Sequence, residues 1–181
     1  LAGGCVPLEG GIVLDMSGMD RIVEMDFDNL QVVVEPGIVQ EKLNKALEPY
    51  GFFFPPDPGS SAMCTLGGLI ANNGSGMRSV KYGTTRSYVL GLEVVMADGK
   101  IIRTGSKTMK TVAGYSLTDL MVGSEGTLGI ITQAIIKVRA IPKERSVIFA
   151  SFDSSELAGK AVVRVLSSGI VPSACEILDA N

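Results

Sequence analysis

The sequence contains no histidine and only three cysteines among its 181 residues. The missing histidine removes the commonest general base and the usual zinc ligand of enzyme sites. Cys5, Cys64 and Cys175 lie far apart without the spacing of metal ligands, and an odd number of cysteines argues against a closed disulfide framework. A reducing compartment fits this cysteine usage best, so we expect a cytoplasmic protein with no metal site.

Long hydrophobic runs and blocks of like charge are also absent. No apolar stretch reaches the roughly 20 residues that a membrane span needs, and no signal peptide is visible. The net charge is -3, from 16 basic and 19 acidic residues, and it lacks the basic footprint of a nucleic-acid binder. With 46% hydrophobic and 19% charged residues, the chain has the composition of one globular domain, or of one domain plus part of another.

The hydrophobic pattern predicts short strands, helices and tight turns. The predicted strands cover residues 11–16, 21–25, 30–35, 89–96, 100–104, 147–152 and 174–178, with a further long strand that ends at Val138. The predicted helices cover residues 38–50, 117–122 and 154–168. Asp98-Gly99 favours a tight hairpin between two of the strands, because both residues tolerate a positive φ.

The stretch from Phe52 to Arg86 consists largely of small residues, and the rest of the chain is organised around it. Such a stretch cannot fill a core by itself, so its glycines are predicted to let backbone N–H groups approach another molecule closely. Bare amides typically bind a phosphate, and a short helix starting at the glycine pair would aim its first amides outward. The alternative is a long surface loop. The glycines concerned are Gly59, Gly67, Gly68, Gly74, Gly76 and Gly83.

Other motifs allow both a structural and a ligand-binding interpretation. Asp57 fixes a turn or presents backbone to a diphosphate, and Lys81-Tyr82-Gly83 is a packed turn or the wall of a planar cofactor. In the second glycine cluster, residues 123–131, one interpretation makes Glu125 a solvent-exposed residue at a helix end and Ile130-Ile131 part of a strand core. In the other, Glu125 orders a loop whose backbone at residues 129–131 binds a flat heterocycle. Four polar residues are candidates for the rim of a substrate cleft or for plain solvent exposure: Arg86, Lys107, Lys110 and Tyr115.

Taken together, these motifs resemble the FAD-binding domain of the vanillyl-alcohol-oxidase (PCMH-type) superfamily. Within it, the chain is most similar to the branch of glycolate oxidase D-subunits, D-lactate dehydrogenases and D-2-hydroxyglutarate dehydrogenases. The resemblance covers almost the whole chain, and its order and spacing are more specific than any single glycine motif. The motifs are Pro56-Asp57-Pro58, Thr65-Leu66-Gly67-Gly68, residues 72–76, Lys81-Tyr82-Gly83 and residues 123–132.

The resemblance implies an α+β fold with two subdomains around an extended FAD. Residues 1–142 would form the FAD-binding domain, and residues 146–181 would begin an α/β, ferredoxin-like cap domain. The family's chemistry is hydride transfer from C2 of a D-2-hydroxy acid to flavin N5, which yields the 2-oxo acid. The substrate would therefore be a small 2-hydroxy acid, while the electron acceptor or partner subunit is not defined by the sequence.

The resemblance also implies which residues contact FAD. The pyrophosphate and ribityl region would lie on Asp57, Pro58, Thr65, Gly68, Asn72, Asn73, Gly74, Ser75 and Gly76, flanked by Pro56 and Gly67. Glu125, Gly129, Ile130 and Ile131 would lie by the adenine, and Tyr82 with Gly83 would help to close the cofactor tunnel. Because the chain has no histidine and Cys64 is expected to be a small core residue, FAD would be held noncovalently.

Two departures from the family pattern affect these expectations. Only Leu1-Ala2-Gly3-Gly4 matches the end of an upstream pyrophosphate loop, so we expect both an incomplete N-terminal subdomain and weak FAD binding. The family places its arginine, metal ligands and catalytic histidines in the cap, so we expect no catalytic or metal-binding residue here and an inactive chain. An exposed apolar surface would allow a homodimer, and partner subunits would allow a location at the membrane periphery.

Two alternatives to this interpretation remain at the level of sequence. One is a flavoenzyme similar to UDP-N-acetylenolpyruvoylglucosamine reductase, whose FAD domain shares part of the glycine pattern. The other is a nucleotide-binding or assembly module without enzymatic activity. The run from Gly123 to Gly129 fits the hydroxy-acid branch better than the reductase, whereas a histidine-bearing cap encoded after Asn181 would favour the enzyme over the module.

Overall fold

The computed structural model describes residue 3 and residues 6–178, which are built around a five-stranded sheet. The strands, in chain order, are β1 (Ile22–Asp26), β2 (Gln31–Val34), β3 (Phe52–Phe53), β4 (Val89–Val95), β5 (Ile101–Gly105), β6 (Ile130–Lys137) and β7 (Arg139–Ala140). The large sheet has the order β1-β2-β6-β4-β5, and all neighbours in it are antiparallel. Strands β3 and β7 form a separate antiparallel pair.

Five α-helices and two short 3-10 turns connect the strands. The helices are α1 (Gln40–Leu47), α2 (Leu66–Ala71), α3 (Ser79–Tyr82), α4 (Leu117–Met121) and α5 (Ser155–Ser167). The 3-10 turns are Glu48–Tyr50 and Thr85–Tyr88. In the described part of the chain, no helix combines the length and the apolar character that a bilayer crossing requires.

The core lies between the central strands and the helices α1 and α2. Every residue of β2 is buried, which explains its dense run of β-branched residues. The apolar side chains of α1 recur at helical spacing, so Leu43 and Leu47 enter the core together. Ile136 of β6 and Leu66 of α2 belong to the same buried cluster. This packing fixes the first glycine-rich segment, residues 59–76, against the sheet.

Most of the predicted elements are confirmed, and their ends differ by a few residues. The strands predicted over 21–25 and 30–35 are β1 and β2, and the hairpin at Asp98-Gly99 joins β4 to β5 with Gly99 at a φ of +80°. The helices predicted over 38–50, 117–122 and 154–168 appear as α1, α4 and α5.

Three predicted strands are wrong. Residues 11–16 contain no strand, and the side chain of Ile12 is 97% exposed. Residues 147–152 and 174–178 are also irregular, with Val147 94% exposed. A strand needs a partner for its backbone N–H and C=O groups, and within residues 6–178 none of these segments pairs with another. The strand-helix-strand unit predicted for residues 147–178 is therefore represented only by α5.

Candidate functional site

The N–H groups at the start of α2 donate hydrogen bonds to acceptors within the chain. Thr65 caps the helix, since its Oγ1 accepts a hydrogen bond of 3.2 Å from the N–H of Gly68. The N–H of Leu66 donates to the carbonyl of Ile38 at 2.8 Å, and the N–H of Gly67 donates to the carbonyl of Pro36 at 2.7 Å. The first amides of α2 are thus used internally. The expectation that they point outward at an anion is wrong.

Free amides lie instead in the turn that precedes α2. The N–H of Ser61 donates to the carbonyl of Pro58 at 3.0 Å, which closes a turn around Gly59 and Ser60. No acceptor among residues 6–178 receives a hydrogen bond from the N–H of Gly59 or Ser60. Successive backbone N–H groups at a turn form a concave site for an anion. This turn therefore offers what a phosphate needs.

The loop at Gly76 lies directly against this turn. An ideal Cβ built on Gly76 would be 1.7 Å from the carbonyl oxygen of Asp57, so only glycine allows the two backbones to approach. The side chain of Asp57 forms an ion pair with Arg78, at 3.0 Å between the carboxylate and Nε. Asp57 is thereby fixed by the chain itself, while its backbone borders the free amides of the turn.

Residues 72–74 connect this region to the start of β4. The carbonyl of Gly74 accepts hydrogen bonds from the backbone N–H and the hydroxyl of Thr85, at 3.0 and 2.7 Å. Asn73 has a φ of +48°, and its Oδ1 accepts a hydrogen bond of 2.9 Å from the N–H of Arg86. The Nδ2 of Asn72 donates to the carbonyl of Gly68 at 2.9 Å. Ser75 is exposed, and none of the described residues accepts a hydrogen bond from its N–H.

The structure joins the first glycine-rich segment, residues 59–76, and the second glycine cluster, residues 123–131, into one surface. These two segments are called the two glycine clusters below. The N–H of Gly123 donates to the carbonyl of Ile70, and the N–H of Glu125 donates to the carbonyl of Ala71, each at 2.9 Å. An ideal Cβ on Gly123 would be 3.4 Å from the Cβ of Asn73. The segments containing residues 57–76 and 123–125 therefore form a continuous strip of main chain, although they lie far apart in the sequence.

The start of β6 adds an exposed backbone edge. Ile130 and Ile131 pair with Val95 and Val94 of β4 on one side. On the other side β2 pairs with β6 only from Ala134 onward, so in the described residues no strand covers that edge at residues 130–133. Binding of a flat heterocycle at this segment stays a prediction. The fold itself requires glycine at residue 129, since a Cβ there would lie 2.6 Å from Cγ1 of Val94.

Tyr82 and Gly83 follow the loop at Gly76 through helix α3, whose Ser79 Oγ accepts a hydrogen bond of 3.0 Å from the N–H of Gly76. The ring of Tyr82 packs edge-on against Phe53, with 5.6 Å between the ring centroids. Gly83 has a φ of +77°, which glycine adopts without strain. No hydrogen bond within residues 6–178 links this pair to residues 123–131. The role predicted for Tyr82 and Gly83 at the cofactor tunnel stays a prediction.

Two amide side chains on α1, the buried Gln40 and the half-buried Asn44, bind the backbone of residues 54–56, and the sequence analysis missed both. Gln40 Nε2 donates to the carbonyl of Pro56 at 2.8 Å. Asn44 Oδ1 accepts from the N–H of Phe54 at 2.7 Å, and its Nδ2 donates to the carbonyl of the same residue at 3.2 Å. The available signal was their spacing of four residues on the helix face that also carries Leu43. Polar residues at such positions indicate tertiary hydrogen bonds.

Two residues at the edge of this surface bear on its chemistry. Burial raises the pKa of the Cys64 thiol, and a protonated thiol is a poor nucleophile for covalent attachment. Arg86, a candidate for the cleft rim, donates from its guanidinium to the carbonyls of Val122, at 2.6 Å, and Asp119. In the described part of the chain, no cluster of three or more acidic and cysteine side chains could hold a metal ion.

Comparison with protein families gives two matches. Residues 1–105 match the family described as "FAD binding domain", and residues 141–181 match "FAD linked oxidases, C-terminal domain". Most of the surface described above lies within the first match, whereas the cluster at residues 123–131 lies between the two.

Several proteins of known sequence are similar over nearly the whole chain. The glycolate oxidase subunit GlcD of Bacillus subtilis is 47% identical over 179 residues, which are 99% of this chain and 38% of that protein. A D-lactate dehydrogenase of Archaeoglobus fulgidus is 44% identical over 179 residues, which are 99% of this chain and 40% of that protein. The chain thus spans roughly two fifths of the length of these relatives.

Among solved structures, an alkyldihydroxyacetonephosphate synthase superimposes with a TM-score of 0.75 at 29% identity. The superposition covers 88% of this chain and 28% of that enzyme. A second crystal form of the same synthase gives a TM-score of 0.73.

Proposed function

Because the chain belongs to the FAD-binding-domain family, we propose that it is the cofactor-binding part of an FAD-dependent oxidoreductase that converts a D-2-hydroxy acid into the 2-oxo acid. The family and the α+β FAD-binding fold predicted from the sequence are confirmed. The substrate class, of the glycolate or D-lactate type, is supported by the names of the relatives. These names favour this activity over the reductase and the non-enzymatic module.

The observation that carries the proposal is the continuous main-chain strip between the two glycine clusters. Its parts suit different regions of FAD. The free amides of Gly59 and Ser60 suit the pyrophosphate, because unpaired N–H groups stabilise negative charge. The open edge of β6 at Ile130 and Ile131 suits the rim of a heterocycle, which backbone donors and acceptors can recognise. The residue-by-residue contacts remain predictions.

The chain's own contribution is to bind and orient the cofactor. FAD, when bound, supplies the acceptor for the hydride that leaves C2 of the substrate. The fixed backbone of residues 57–60 and 123–125 holds its position without reorganisation, since hydrogen bonds and close glycine contacts anchor both segments. Catalytic side chains and metal ligands are still expected in the cap domain, and the domain division at residues 142–146 also stays a prediction.

The reaction class is tested with the full-length protein. We expect the purified protein to carry FAD, and we expect D-lactate or glycolate to bleach its visible flavin absorbance anaerobically. L-Lactate is the stereochemical control and should leave the spectrum unchanged. A full-length protein that is colourless and cannot be reconstituted with FAD would contradict the proposal.

Two matched glycine variants test where the phosphates lie. Gly59 and Gly18 each have no heavy atom within 4 Å of an added Cβ, and neither has a positive φ. An aspartate therefore fits at both positions and adds the same charge. Gly59→Asp should weaken FAD binding by at least about tenfold, because like charges close together are strongly unfavourable. Gly18→Asp should bind FAD as the wild type does, and equal affinities for both variants would refute the placement.

The assembly and location remain open to experiment. The cytoplasmic location is a prediction from the sequence, whereas a relative from Danio rerio is named as a probable mitochondrial D-lactate dehydrogenase. The homodimer and the electron acceptor also stay predictions. Size-exclusion chromatography with light scattering on the full-length protein measures the first, and assays with separate acceptors identify the second.

A further inference from the structure

A second concave site lies at the opposite end of β6 from residues 130–133 and includes Tyr82, next to Gly83. It is a cavity of about 640 Å³ between the far end of β6, the strand β7 and helix α3. Residue 137 ends β6, so it lies about 24 Å along the strand from the backbone edge at residue 130, at 3.4 Å per residue. The cavity is lined by Leu30, Lys81, Tyr82, Ser87, Tyr88, Lys137, Arg139 and Ala140.

Positive charge dominates this cavity. Lys81, Lys137 and Arg139 all line it, and no carboxylate is among the lining residues. Within the described part of the chain, none of these three cations takes part in a salt bridge. The whole sequence carries a net charge of -3, so this concentration of unpaired positive charge does not follow from the composition. Like charges grouped in this way repel one another unless an anion lies between them.

Aromatic side chains hold two of the cations in place. The ammonium of Lys137 lies 5.8 Å from the centroid of the Tyr88 ring, and the ammonium of Lys81 lies 5.7 Å from that of Tyr82. Burial and the neighbouring charge of Arg139 lower the pKa of Lys137. Burial raises the pKa of Tyr88, and the neighbouring Arg139 opposes part of this effect. Lys137 is therefore partly desolvated, unlike a lysine on an open surface, whereas Lys81 and Arg139 reach the cavity from exposed positions.

We propose that this basic cavity binds a small molecule through an oxyanion group, either a carboxylate or a phosphate. Arg139 presents the planar fork that pairs with two oxygens of such a group, while the lysines act as point charges. The hydroxyls of Tyr82, Tyr88 and Ser87 add neutral donors around the anion. The proposal does not depend on the substrate of the flavin chemistry, because it uses a cavity at the opposite end of β6.

Isothermal titration calorimetry on the FAD-saturated full-length protein tests the proposal. Inorganic pyrophosphate and oxalate serve as separate probes, so that the phosphate and carboxylate sources are distinguished. Binding of either probe supports the proposal and identifies whether the cavity takes a phosphate or a carboxylate. The visible flavin spectrum, recorded in the same titration, should stay unchanged. It reports on the cofactor site independently, so a failure of the proposed function can be told apart from a failure of this inference.

Charge-matched variants assign the binding to the cavity. Arg139→Gln and Lys137→Gln should each weaken binding by about tenfold, since each removes a charge-assisted hydrogen bond. Lys110→Gln removes the same charge from an exposed loop outside the cavity and should leave the affinity unchanged. Arg139→Lys keeps the charge but loses the fork, so its affinity should be intermediate.

Lys81→Gln provides a second test if Arg139→Gln or Lys137→Gln fails to fold, because Lys81 is exposed on the short helix α3 and its substitution should not disturb the fold. It should also weaken binding. Absence of heat with both probes would overturn the proposal. Equal affinities for Lys81→Gln, Arg139→Gln and Lys110→Gln would overturn it as well, because the anion would then bind elsewhere on the protein.

Discussion

Replacing Gly76 with alanine tests the contact on which the proposed cofactor surface depends. The added Cβ would lie 1.7 Å from the carbonyl oxygen of Asp57 and 2.8 Å from the nitrogen of Pro58. A carbon and a carbonyl oxygen approach to about 3.3 Å at the closest. The two backbones must therefore separate by roughly 1.5 Å, and no side-chain rotation can relieve the clash because the obstructing atoms are backbone.

The expected loss of stability follows from this separation. Overpacking a closely packed site costs about 1–3 kcal/mol and occasionally more. The loop at residue 76 is anchored by the hydrogen bond from its N–H to Ser79 Oγ and by the ion pair of Arg78 with Asp57. These constraints put the expected value near the upper end, at about 3 kcal/mol. With an m-value of about 2 kcal/mol/M, the urea midpoint should fall by roughly 1.5 M.

The control is Gly59→Ala, in the turn that faces this loop. Its Cβ meets no heavy atom within 4 Å and its φ is not positive, so the change should shift stability by no more than about 0.5 kcal/mol. Both variants are unfolded in urea and followed by circular dichroism. Equal midpoints for Gly76→Ala and Gly59→Ala would refute the close approach of the two loops. If the surface is the cofactor site, Gly76→Ala should lose FAD and Gly59→Ala should keep it.

Two further predictions concern side chains beside the sheet. Hydrogen bonds from Arg21 lower the pKa of Glu35 below its ordinary value of 4.5, so this carboxylate stabilises the fold at neutral pH. Glu35→Gln should reduce the urea midpoint at pH 7, and this reduction should shrink as the pH falls below 4.5. The control is Glu156→Gln, which removes a carboxylate from the exposed ion pair with Lys160. Thr104 and Thr118 share a buried hydrogen bond of 2.9 Å. Valine at either position should cost about 1–3 kcal/mol, and valine at both should cost less than the sum; additive losses would contradict the pairing.

Elements with a local cause could be predicted from the sequence. Asp98-Gly99 fixes its hairpin because the positive φ of Gly99 is a property of the turn itself. Helix α1 was visible because Leu43 and Leu47 repeat at helical spacing. The strand predicted over 147–152 failed because a strand also depends on a partner, and hydrophobic alternation carries no information about whether one exists.

The glycines show a different limit of the sequence. A run of small residues indicates that something approaches the backbone closely, but it does not say what. At Gly67 the neighbour is Pro36, whose Cβ would lie 2.8 Å from an added Cβ, and at Gly129 it is Val94. These glycines are needed by the fold itself. Among the described residues, the N–H groups of Gly59, Ser60 and Ser75 have no acceptor, and a side chain added at Gly59 would meet open space.

The junction between the two glycine clusters consists of hydrogen bonds at the end of α2. The carbonyls at the end of a helix have no partner within the helix. In α2, those of Ile70 and Ala71 are satisfied by the N–H groups of Gly123 and Glu125. Asn73 and Glu125 both have positive φ, +48° and +52°, a conformation that costs about 1 kcal/mol or more outside glycine. Such strain persists only where surrounding contacts enforce it, and here each cluster supplies the contacts of the other. We therefore expect the conformation of each glycine cluster to depend on the other.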